Sequence, residues 1–122
     1  MKSNVVYLCL ISCLIIMVSG QAVHATWIPD GVEVAHYPTP DPDLSEIVSD
    51  GAGGSIIVWQ DNRNGDMDIY AQRIDSNGAV LWTIDGVPIC TATGEQSIPR
   101  ITSDGAGGAV VTWQDLRSGI DD

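Results

Sequence analysis

The stretch whose residue types come nearest to a chemical site is Asp61-Asn62-Arg63-Asn64-Gly65-Asp66-Met67-Asp68. Oxygen donors at alternate positions around a glycine are how a Ca2+ turn is built, and Asp61, Asn62, Asn64, Asp66 and Asp68 carry such oxygens. Arg63 stands where the third ligand belongs, and Arg117 stands at the matching place further on. A guanidinium there repels Ca2+. We therefore read Asp61 with Arg63, and Asp115 with Arg117, as structural ion pairs that hold the loop shape. The expectation is no resident cofactor, with Ca2+ at this loop as the alternative.

Other residues that chemistry might use are sparse. After the first 25 residues, the only histidine is His36, in a proline-rich connector where no carboxylate or nucleophile is expected beside it. Gly51-Ala52-Gly53-Gly54 precedes no helix and has no lysine, so it reads as a turn and not as a phosphate cradle. Trp27, Trp59, Trp82 and Trp113 are the large apolar anchors, expected in the core. No residue is assigned a catalytic role.

The elements that must position these residues come from a repeat. Ser49 to Asp68 aligns without a gap on Ser103 to Asp122, 54 residues later, with identity at 12 of 20 positions. Within the unit, Ile47-Val48-Ser49, Ser55 to Gln60, Asp68 to Ile74 and Ala79 to Trp82 read as four strands, punctuated by Asp50-Gly51, Gly65 and Asn77-Gly78. Gly51 and its copy Gly105 are expected to give tight type I′ hairpin turns after Asp50 and Asp104. The unbroken apolar run Ile56-Ile57-Val58-Trp59 predicts a strand covered on both faces. Trp27 to Val32 matches Trp82 to Val87 at an offset of 55, so a partial unit precedes the full one. The expected division is 1–25 leader, 26–48 partial repeat and proline-rich connector, 49–102 full repeat, and 103–122 a second copy that stops within the unit.

Residues 1–25 have the three parts of a cleaved secretory signal: Lys2, an apolar run from Val5 to Val18, and Val23-His24-Ala25 at the cleavage point. That run has 14 residues, short of the roughly 20 needed to span a bilayer as a helix. Beyond Ala25 the chain holds four arginines, no lysine and all sixteen carboxylates, a formal charge of −12. Such acidity gives phosphates no basic stripe, which argues against nucleic acid, and after cleavage against membrane surfaces, as partners. Cys90 alone remains of three cysteines, so an internal disulfide is excluded. Its apolar neighbours predict a buried small hydrophobe.

Ser-Asp-Gly-x-Gly-Gly, Trp-Gln-Asp-x-Arg-x-Gly, Asp-Ile-Tyr-Ala-Gln-Arg, Leu-Trp and Asp-Gly-Val, in that order, resemble the tandem repeats of large, secreted bacterial proteins read as β-propellers. The resemblance covers Trp27 to Asp122. It implies an all-β fold of antiparallel four-stranded blades of about 54 residues, an extracellular or cell-envelope location, and an incomplete β-propeller, since closure takes roughly four to eight blades. It implies no catalytic residue. The expected function is an exported structural or binding module, a fragment whose partners are further repeats of the same chain and extracellular protein or glycan. The alternative is part of a secreted propeller-type hydrolase acting on polysaccharide, with its catalytic residues outside this stretch.

Overall fold

The computed structural model describes residues 4–8, 28–37 and 43–117. The expected cleavage point after Ala25, Trp27, the Pro38-Pro40-Pro42 cluster and residues 118–122 lie outside them. The described chain is all-β, with strands β1 (Asn4–Leu8), β2 (Val32–Tyr37), β3 (Asp43–Ser49), β4 (Ser55–Asp61), β5 (Asp68–Ile74), β6 (Val87–Cys90), β7 (Gln96–Ser103) and β8 (Ala109–Asp115). All pairing is antiparallel, in three sheets: β1-β2, β3-β4-β5-β6 and β7-β8. The central sheet is a meander in chain order.

The central sheet is packed on both faces, which is why Ile56 to Trp59 needs no polar alternation. On one face Ile57, Trp59, Tyr70 and Ile74 meet Val32, Val34 and Ala35 of β2. On the other, Val58, Ile69 and Ala71 meet Ile101, Val111 and Trp113 of the third sheet. Each tryptophan-bearing strand thus turns its indole toward the sheet before it in the chain. Polar contacts hold the second and third sheets in register: Ile98 N–H donates to Gln60 Oε1 (2.7 Å), Ile101 N–H to Glu46 Oε2 (3.1 Å), and Arg100 Nη1 to Glu46 Oε1 (2.7 Å).

Several local expectations are corrected. The first strand of the unit starts at Asp43 and not Ile47, and its copy starts at Gln96 and not Ile101. The fourth is β6, Val87–Cys90, and not Ala79 to Trp82, where only Val80 bridges to Ile74. Buried Gln72 is the reason: its Oε1 accepts from Trp82 N–H (3.0 Å) and its Nε2 donates to Thr83 O (2.8 Å), which draws the chain away from β5 before it returns. Pro88 is tolerated because β6 is an edge strand of that sheet. Cys90 is half-buried, not fully buried, because its edge position leaves one side open.

The turns after β3 and β7 also differ from type I′. Gly51 has φ 74°, but Asp50 keeps a negative φ, so the two adjacent positive values a type I′ turn requires are missing. Asp50 instead folds a wider loop around its carboxylate, whose Oδ1 accepts from Ala52 and Gly54 N–H (2.8 Å each). Asp104 repeats this with Ala106 and Gly108 (2.7 and 2.9 Å). Asp75 does the same for Asn77 and Ala79 in place of the expected Asn-Gly turn. Paired positive φ values occur elsewhere, at Asp30-Gly31 (72°, 97°) and Asp85-Gly86 (65°, 89°), just ahead of β2 and β6.

β1 lies within the expected leader. Its pairing with β2 matches Leu8 to Val32, Tyr7 to Glu33 and Val6 to Ala35, with a slip between Val6 and Tyr7. β5 and β6 match Ala71 to Val87, Tyr70 to Pro88 and Ile69 to Cys90, with a slip between Ile69 and Tyr70. The two pairings are superimposable in register, bulge included.

Candidate functional site

The end of β4, the following loop and the start of β5 build a polar corner against the central core. Asp61, buried at the strand end, accepts from Trp59 Nε1 at Oδ2 (2.8 Å). Arg63 closes on the same carboxylate through Nε to Oδ1 (2.9 Å), Nη2 to Oδ2 (2.7 Å) and its own N–H to Oδ1 (3.1 Å). A bidentate geometry of this kind fixes the guanidinium plane. Nη2 also donates to Asp85 O (2.9 Å), which ties the corner to the turn before β6. The guanidinium carbon stands 3.7 Å over the Tyr70 ring, and Tyr70 stacks on Trp59 with centroids 6.4 Å apart. Burial, foremost, pushes the Tyr70 hydroxyl above its ordinary pKa, with Asp68 and Asp61 adding to the effect against the opposing charge of Arg63.

The oxygens proposed for Ca2+ do not converge. Asp61 is occupied as described. Asn64 presents Nδ2, a donor, to Asp68 Oδ2 (3.0 Å) and Tyr70 Oη (2.7 Å), while Asp66 Oδ2 accepts from Gly94 N–H (3.2 Å). Among the described residues, no group of three His, Cys, Asp or Glu side chains is placed to hold a metal ion. Asn62 makes its part of the loop through its carbonyl, which accepts from Gly65 N–H (2.9 Å).

The second copy repeats the corner in a more open setting. Trp113 Nε1 donates to Asp115 Oδ2 (3.2 Å), and Arg117 Nε and Nη2 both reach that oxygen. Hydrogen bonds from Arg117 hold the Asp115 carboxyl well below the usual carboxylate range and raise the guanidinium in turn. Arg117 Nη2 also reaches Cys90 Sγ (3.5 Å). Gly51 and Gly105 sit in open space at their loop tips, so their role is conformational.

Three residues of the central sheet carry no sequence assignment yet organise it. Gln72 is described above. Arg73 spans from β5 to the β3–β4 loop, with Nε and Nη2 on Asp50 Oδ2 (3.1 and 2.8 Å). The Ala52 N–H, then Arg73, keep the Asp50 carboxyl below its usual pKa. Asp85 accepts His36 N–H at Oδ1 (2.8 Å), linking β2 to the central sheet. Arg73 and Gln72 had a signal in the Asp-Ile-Tyr-Ala-Gln-Arg motif; Asp85 had one in the repeated Asp-Gly-Val.

A cleft of about 330 Å3 opens between β2 and the segment before β6, lined by Val34, Ala35, Val80 and Ile84 with Glu33, His36 and Asp85. That lies at the small end of ligand clefts, which run from roughly 300 to 1,000 Å3. His36 Nδ1 is 2.6 Å from Glu33 Oε1, which corrects the expectation of a histidine without a carboxylate. A regular strand would set residues three apart on opposite faces; the register slip of β2 at Val34 brings these two together. Both side chains are exposed, and the described lining holds no Ser, Thr, Cys or Lys to act as nucleophile. The cleft can bind a small apolar group with a polar end.

No helix among the described residues is long and apolar enough to cross a membrane. No family model, curated protein or solved structure matches the chain.

Proposed function

We propose that the chain is an exported module whose sheets are consecutive blades of a β-propeller, serving structure or binding and without catalysis of its own. The observation that carries this reading is the stacking of three antiparallel sheets in chain order, with Trp59 of β4 and Trp113 of β8 each packed toward the preceding sheet. A central four-stranded meander flanked by parts of two like sheets is what a stretch of propeller requires. The leader pattern of residues 1–25 supports export. The polar corner at Asp61 supports a structural role, because its carboxylate and guanidinium are occupied by one another and by the scaffold. Further repeats of the same chain are the natural partners, and the His36 cleft is the place for an extracellular protein or glycan group.

Sedimentation velocity on residues 26–122 tests the reading. Open sheet stacks should associate in a concentration-dependent way. A stable, folded monomer across the concentration range overturns it. Mass spectrometry of the exported protein should find Thr26 at the N-terminus.

A further inference from the structure

The two copies of the tryptophan strand differ in what covers them. β4 is buried along its length and lies between β3 and β5, whereas β8 alternates between half-buried and exposed and, among the described residues, has β7 as its one sheet neighbour. The β7–β8 pairing reproduces β3–β4: Ser103 to Ala109 and Ile101 to Val111 repeat Ser49 to Ser55 and Ile47 to Ile57. The outer edge of β8 is therefore the edge on which β4 carries β5. There the register is complete, from Ser55 opposite Ile74 to Asp61 opposite Asp68, with Trp59 opposite Tyr70.

We propose that the outer edge of β8 is an acceptor for an extended, antiparallel strand of the Asp-Ile-Tyr-Ala-Gln-Arg pattern, seated with its tyrosine opposite Trp113. This deepens the propeller reading and rests on it, by naming the partner of this edge and its register. The receiving groups are in place. Trp113 is held by Asp115 as Trp59 is by Asp61. Arg117, half exposed beside Asp115, occupies the position from which Arg63 covers the Tyr70 ring. A tyrosine arriving at that register gains the same stack and the same cation above it. Main-chain hydrogen bonds along β8 supply the affinity, as in other strand additions. β2 provides a precedent within the molecule. Its edge, the counterpart of the β6 edge, is paired with Val6-Tyr7-Leu8 in the register of Ile69-Tyr70-Ala71, bulge included, although β1 lies in the expected leader and outside the repeats.

The test adds a synthetic peptide of residues 68–90, carrying Cys90→Ser and capped at both ends, to the full-length protein. Hydrogen exchange should slow at least ten-fold at alternate amides of Ala109–Asp115 while β2 is unchanged, and the peptide should suppress self-association. Tyr70→Ala in the peptide should weaken binding about ten-fold, as expected for loss of the aromatic stack and the cation contact. The proposal is overturned by a scrambled peptide that binds equally, by protection that appears on the central sheet through exchange with β5, or by no protection at millimolar peptide. A protein that self-associates but ignores the peptide removes the edge proposal alone. A stable monomer that captures the peptide on β8 removes the propeller reading alone.

Discussion

The indole of Trp59 lies so close to Gly86 that a Cβ on that glycine would stand 2.5 Å from the ring. Gly86 also has φ 89°, a left-handed conformation that side chains resist. The Asp-Gly-Val turn is thus the lid of the Trp59 pocket, and its glycine is required twice over. Gly86→Ala should destabilise by about 3 kcal/mol, combining overpacking with backbone strain. Gly51, with φ 74° and nothing within 4 Å, isolates the backbone part, so Gly51→Ala should cost about 1 kcal/mol. Urea midpoints of the two variants, at unchanged m-value, check the difference.

The two tryptophans should separate in the same assay. Trp59 is fully buried, and Trp59→Ala should cost about 3 to 5 kcal/mol. Trp113 is half-buried against the central sheet, so Trp113→Ala should cost about half as much, near 2 kcal/mol. Equal losses would mean that β8 is covered as β4 is.

Much of this arrangement is legible from residue types. The apolar run of β4, the anchoring tryptophan and the Asp61–Arg63 pairing follow from pattern and charge at short range. What escapes is set by contacts distant in sequence. Gln72 pulls Trp82 and Thr83 out of strand conformation from ten residues away, which no local propensity encodes. Asp50-Gly51 and Asp85-Gly86 are the same dipeptide, yet only the second has both residues at positive φ. The first instead meets Arg73, and its carboxylate is spent on the loop's own amides. Glu33 and His36 would point to opposite faces of a regular strand. It is the extra residue at Val34, where the pairing with β1 slips, that lets them meet, which no local pattern announces.

Removing one partner of the corner pair should be costlier than removing both. Arg63→Met leaves the buried Asp61 carboxylate with Trp59 Nε1 and a backbone amide, and should cost about 2 to 3 kcal/mol, below the full value for a buried pair because the guanidinium is partly exposed. Asp61→Asn with Arg63→Met should recover part of that loss, giving a coupling energy in a double-mutant cycle. In the second copy Arg117→Met should have little effect, since that guanidinium is half in solvent. Thermal unfolding of the wild type, Asp61→Asn, Arg63→Met and the double variant at fixed pH measures the coupling.

Stability should fall in acid, and Asp50 should account for a definable part of the fall. Its carboxyl is held below 3.8 in the folded chain, first by the Ala52 N–H and then by Arg73. A depressed folded pKa means that the unfolded chain binds the proton more readily. The contribution is complete above the unfolded value and disappears as pH drops through the folded one. Asp104 shares the direction through Ala106 and Gly108 but has no arginine across from it. Asp50→Asn should therefore lower the melting temperature at pH 6 and flatten its decline below about pH 4, and Asp104→Asn should flatten it less. Tyr70 works at the other limb. Its raised pKa contributes stability that is present below about pH 10 and lost as pH rises through the folded value. Tyr70→Phe should remove that alkaline loss while leaving the acid limb as it was. An unchanged acid limb in Asp50→Asn would show that the loop is held by its glycines and not by its carboxylate.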